Sequence, residues 1–147
     1  MPDKTLLKIL AISSFITGGI LGVLALIPRL IGFVFLIEMF LVSPFIIVYI
    51  HKLKLVANLE LQKYLSIGAI SGFIGFIGFS LIYFPIACII HLIFKVESYI
   101  WIKAMFSNIS FLIQIVLFTA LLSGLVNMFS SFITYHSKKY YNMFGGK

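Results

Sequence analysis

Glu38 is the residue of this sequence best placed to do chemistry. It lies inside the apolar run from Leu30 to Ile50 and is the one ionisable side chain deep within such a run. An ionised carboxylate at the centre of a membrane helix costs roughly 2.5–3.5 kcal/mol on insertion scales, so its protonation depends on what surrounds it. Counting from Leu30 at helical rise puts Glu38 roughly 12 Å into its run, within reach of a bilayer's middle. Its helical neighbours Val34, Phe35, Leu41 and Val42 offer no polar partner. The side chain is therefore predicted to face other helices and to be protonated or paired there. Proton or ion coupling is one role for such a group. A structural hydrogen bond, or contact with an acceptor on a partner protein, is the other. At comparable depth the remaining runs supply Thr17, Ser80, Tyr83 and Gln114, and no basic residue.

A second polar set lies in the last apolar run. Thr119, Ser123, Asn127, Ser130 and Thr134 fall within about a third of a helical circumference. Ser110 and Gln114 form a separate pair nearer the other end. Such side chains commonly bond between membrane helices, at ~0.6 kcal/mol each on average. Packing is the leading reading of this face and a hydrated pocket or path the second. Glu38, Gln114, Ser123 and Asn127 are the candidate buried coupling or polar residues.

Glycines form the third pattern. Gly18 and Gly22 make a GxxxG pair, while Gly68, Gly72, Gly75 and Gly78 stripe a later run. Lacking side chains, glycines let a second helix backbone come close, and this drives association within lipid. They are expected to pack helices, either within the bundle or between protomers. They are not a phosphate-binding loop, because no GK[ST] follows and they lie inside an apolar run.

Other chemistries find few residues. Cys88 is the only cysteine, which rules out an internal disulfide and a cysteine-based metal centre. His51, His91 and His136 are scattered, and no spaced carboxylate or cysteine completes a metal set. The chain has 4 Asp+Glu in all, too few for the clustered acids, bases and ligands of a membrane hydrolase or transferase. No catalytic, cofactor-binding or metal-binding residue is expected, and no cofactor. The +7 net charge is spread over run ends and loops with no recognition motif, so nucleic acid is not an expected partner.

The elements that must position these residues follow from hydropathy. Of 147 residues 62% are hydrophobic and 10% charged, with mean hydropathy +1.18; soluble domains carry about a quarter charged. A bilayer core needs about 20 apolar residues per helix. Four spans meet this, over about 6–27, 30–50, 65–94 and 107–132. The first is read as a retained span, since it is longer than a signal peptide's apolar core and no small-x-small site follows. Pro28 and Arg29 alone separate the first two, which predicts a tight hairpin. Pro44 frees the carbonyl of Phe40, and Pro85 is placed to kink or end the crossing part of the third span.

Residues 1–147 thus read as one all-α domain, an integral membrane bundle of four transmembrane helices. Lys4, Lys8, Lys52, Lys54, Lys63, Lys138, Lys139 and Lys147 fall on one side, against Arg29, Lys95 and Lys103 on the other. The positive-inside rule then puts both termini in the cytoplasm. The segment from Val96 to Lys103, with Tyr99 and Trp101, and the tail from Tyr135 to Tyr141 read as membrane-surface anchors. The bias toward Lys, Ile and Phe suggests an AT-rich bacterial genome and hence a cytoplasmic (inner) membrane. Expected partners are the lipid bilayer and other membrane proteins or a second copy. The reading that needs the fewest special features is a non-catalytic accessory or scaffold subunit associating through small-residue helix faces. The alternative is a small oligomeric transporter or channel in which Glu38 couples a proton or ion.

Overall fold

The computed structural model describes residues 4–53, 60–95, 102 and 106–143, with side chains described as far as Lys138. Four long helices make up nearly all of them: α1 Lys4–Leu24, α2 Ile31–Lys52, α3 Leu61–Phe94 and α4 Ile109–Met143. Each contains a stretch long and apolar enough to cross a membrane. Helix is the expected outcome for such runs, because it satisfies every interior backbone group within the segment.

The boundaries differ from the hydropathy reading in instructive ways. α1 closes at Leu24, and residues 25–30 form a chain of turns in which Leu26 N–H bonds Val23 O, Ile27 N–H bonds Leu24 O and Leu30 N–H bonds Ile27 O at 2.8–3.2 Å. The hairpin is tight but uses more of the chain than Pro28 and Arg29. α3 starts at Leu61, where the carbonyl of Glu60 accepts from both Lys63 and Tyr64. It runs through Pro85 to Phe94 and stops at Lys95, whose φ of 53° is left-handed. Pro85 removes one ladder donor, and the turns on either side keep their helical form. α4 continues to Met143, well past Phe132. Hydropathy sees only the apolar window, whereas the residues from Ile133 to Met143 include no Gly or Pro and are no barrier to helix. The predicted anchor over 96–103, Ile102 excepted, lies outside the described residues, as do Lys54, Lys147 and the side chain of Lys139.

Successive helices alternate in direction. α3 and α2 each touch all three other helices, while α1 and α4 do not touch each other among the described residues. At one end the close of α2, the start of α3 and the last turns of α4 meet: Tyr64 OH lies 3.2 Å from His51 Nε2, and the rings of Tyr64 and Tyr135 are 5.2 Å apart. The first turns of α1 lie at this end too, where Leu6, Leu7 and Leu10 line a cavity with Glu60, Gln62 and Lys63. The exterior is apolar, unlike that of a water-soluble bundle, while the interior combines an apolar core around Val42, Ile46, Ile50, Phe76 and Phe79 with buried polar groups. Buried positions include Ser14, Glu38, Ser43, Ser71, Ser123, Asn127 and Ser131, while Phe33, Phe45, Phe118, Phe129 and Ile133 stand exposed.

Candidate functional site

The glycines set the distances between helices. On the α1–α3 seam a Cβ at Gly18 would overlap the backbone of Gly75, one at Gly22 would stand 2.7 Å from Phe79 O, and one at Gly78 would stand 2.5 Å from Phe15 O. On the α3–α4 seam a Cβ at Gly68 would meet the Asn127 carbonyl at 2.6 Å, and one at Gly72 would meet Ser123 O at 2.5 Å. Gly75 also faces α2, with Val42 Cγ1 at 3.2 Å and Glu38 Oε1 at 3.4 Å from its virtual Cβ. All six glycines singled out in the sequence are therefore taken up by contacts within one chain. Side chains at these positions would push backbones apart, so each of these close crossings has glycine on at least one of its two helices.

That close approach brings α2 and α4 together over α3 and encloses a polar cluster. Glu38 is fully buried, with 0% of its surface exposed. Ser123 Oγ of α4 lies 3.2 Å from Glu38 Oε1, 3.1 Å from Oε2 and 3.1 Å from the carbonyl of Gly72. A hydroxyl has one hydrogen to donate, and here it faces three acceptor oxygens.

Asn127, one turn further along α4, grips the backbone of α2. Its Nδ2 donates to the carbonyls of Met39 at 2.9 Å and Glu38 at 3.1 Å, while its Oδ1 accepts from the backbone N–H of Ser43 at 2.8 Å. Met39 and Ser43 are a carbonyl and amide four apart, the pair that an undisturbed α-helix bonds to each other. Asn127 thus contacts both ends of one rung of α2, which stays helical from Ile31 to Lys52. Pro44 follows Ser43 and lacks an N–H of its own. The same Nδ2 lies 3.1 Å from Ser123 O and 3.3 Å from Ser123 Oγ, so its two hydrogens face four acceptors and the clamp borders the Glu38 contact. Ser43 Oγ and Ser131 Oγ complete the cluster with a hydroxyl–hydroxyl hydrogen bond.

The structure thus brings Glu38, Ser123 and Asn127 together. It does not bring Gln114, which the sequence reading groups with them as buried: Gln114 is exposed on α4. Depth along a span says nothing about which side of the helix a residue occupies, and Gln114 falls on the outward side. Thr17 donates to Ser13 O within α1 at 2.8 Å, and among the described residues Ser80 Oγ is buried without a hydrogen-bond partner. Ser43, Ser131 and the Gly72 carbonyl are members that sequence reasoning misses. Ser131 carries a readable signal, standing one helical turn beyond Asn127. Ser43 and Gly72 carry none, because their role comes from the backbone and from which helix lies opposite.

His51 and His136 lie at one end of the bundle with the Tyr64 and Tyr135 rings between them. Among the described residues no three His, Cys, Asp or Glu side chains group in a way that would hold a metal ion. Among the described residues, the cavities beside Leu10, Ile20, Phe84 and Ile74 are lined by none of Glu38, Ser123 and Asn127. Compared with protein-family models, curated proteins and solved structures, the chain matches none.

Proposed function

We propose that this chain is an integral protein of a bacterial cytoplasmic membrane, crossing it four times with both termini in the cytoplasm. In it the chain serves as a non-catalytic accessory or scaffold subunit. The observation that carries this reading is the division of chemistry between inside and outside. The polar cluster and the glycine stripes are occupied within the bundle, which leaves an apolar exterior suited to lipid and to other helices. An apolar groove with a few small residues stays open. Between α1 and α4 the face of α3 forms the floor of a groove of about 760 Å³, lined by Ala11, Ala69, Gly124, Phe73 and neighbouring leucines and isoleucines. Small residues there allow the close backbone approach that associating membrane helices use.

A photo-reactive side chain at Ala69, compared with one at the exposed Phe33, tests this in native membranes. Specific protein adducts from position 69 alone are expected. Lipid adducts alone from both positions would remove the scaffold reading. A reporter fused at Lys147 tests orientation, and activity on the periplasmic side would overturn it.

Transport coupled to Glu38 is the second reading, favoured by the burial of a carboxyl group amid the helices. In reconstituted vesicles, pH-dependent transport that survives Glu38→Gln would remove it.

A further inference from the structure

We propose that Glu38, Ser123 and the carbonyl of Gly72 form a single-proton site whose occupancy controls how firmly Asn127 holds α2 just before Pro44. The hydrogens of the cluster can be counted. With Glu38 protonated, its O–H donates to Ser123 Oγ and the Ser123 O–H donates to Gly72 O, so two hydrogens serve the three short contacts and both hydroxyls donate. With Glu38 ionised, the single Ser123 hydrogen must serve a full negative charge, and Gly72 O loses the hydroxyl. A buried carboxylate held by one hydroxyl is poorly compensated and must gain water or separate from its surroundings.

Nothing nearby among the described residues offers a counter-charge. The groups facing Glu38 are Ser123 and Asn127 from α4 and Gly72 and Gly75 from α3, and the carbonyl of Ser14 from α1 lies behind Gly75. None of them is titratable. The proton leaves by breaking the Glu38 O–H bond and passes to water, so the balance needs no other reactant.

The coupling to α2 runs through Ser123 and Asn127. Asn127 Nδ2 touches Ser123 Oγ as well as the Glu38 and Met39 carbonyls. Turning the Ser123 hydroxyl toward the carboxylate and separating Glu38 from α4 both act on the amide that spans Met39 and Ser43. Beyond that point Pro44 leaves the helix one ladder bond short, so α2 is weakest where the clamp acts. The protonated state is packed, and proton loss frees the half of α2 that runs from Ser43 to Lys52.

The inference rests on the bundle lying in lipid, as proposed above, and not on any partner. The full chain is reconstituted into phosphatidylcholine vesicles, and flotation first establishes incorporation, so a failure of the membrane reading shows separately. Spin labels at Tyr49→Cys on α2 and Ile133→Cys on α4, both exposed, in a Cys88→Ala background then report the interhelical distance. Infrared absorption follows the carboxylic acid carbonyl. Expected at neutral pH are one short distance and an acid band that Glu38→Gln removes. Toward alkaline pH the acid band fades and a longer distance grows in step with it, while Glu38→Gln keeps the short distance throughout. An ionised carboxylate in the packed state, an acid band that never fades, or one that fades with no change in distance overturns the proposal. Should Glu38→Gln not insert, the joint behaviour of band and distance in the unsubstituted chain decides the matter in the same way.

Discussion

α3 has two close seams, and they hold by different means. Against α1 a glycine stands at each crossing, with Gly18 on Gly75, Gly22 on the backbone of Phe79 and Gly78 on the backbone of Phe15. At these three crossings the contact is between backbones brought close by glycine. Against α4 the glycines at 68 and 72 also admit a close backbone, but polar side chains fill the space beside them and reach on to α2. The first seam is sensitive to volume and indifferent to chemistry. The second tolerates little change in chemistry, because each of its donors and acceptors has a named partner. A stripe of small residues therefore has two uses in one molecule, as a contact in its own right and as a means of seating a hydrogen-bond cluster.

The largest effect is expected from Gly18→Val. Its side chain would meet backbone, which cannot rotate away, and overpacking of this kind costs about 3 kcal/mol. Unfolding in bicelles should show that loss, and a neutral result would mean α1 is not seated where Gly75 requires. Asn127→Ala comes next. It strips partners from Met39 O and Ser43 N–H, a loss of about 2 kcal/mol, reduced to the extent that those two groups bond to each other again. A loss larger than that of Gly18→Val would reverse the ranking of the seams. Ser123→Ala should cost about 1 kcal/mol, and a double-mutant cycle with Glu38→Gln should show coupling between the two sites. Additive effects would mean that the Ser123–Glu38 contact carries no energy. The smallest change is expected for Gly32→Ala, since no atom lies within 4 Å of the added carbon. Helix propensity alone predicts a gain of up to about 1 kcal/mol. A substantial loss there would show that an outward glycine is also a contact.

Much of this architecture is legible in the residues, and the rest is not for definite reasons. The number and order of the helices follow from runs of apolar residues, and the polar set on α4 follows from its period. The ends of helices are less legible. α4 passes Phe132 because helix formation needs only the absence of a breaker, whereas hydropathy marks only where the chain is greasy. Gln114 is misplaced by sequence reasoning because depth along a helix does not give position around it. Ser43 joins the cluster through its backbone N–H, which every residue but proline has, so no residue type announces it.

The sequence by itself determined that four apolar helices would form, that one carboxyl group would lie deep within them, and that glycines would mark close crossings. Each of these depends on local composition and period. Only the tertiary structure decided which helix each glycine meets, that the stripes close within one chain, and that Ser123 is the partner of Glu38. The partners in that pair stand 85 residues apart. Their meeting depends on the rotation and height of α2 and α4 against α3, set jointly by all the contacts along the seams, and no local pattern carries that information.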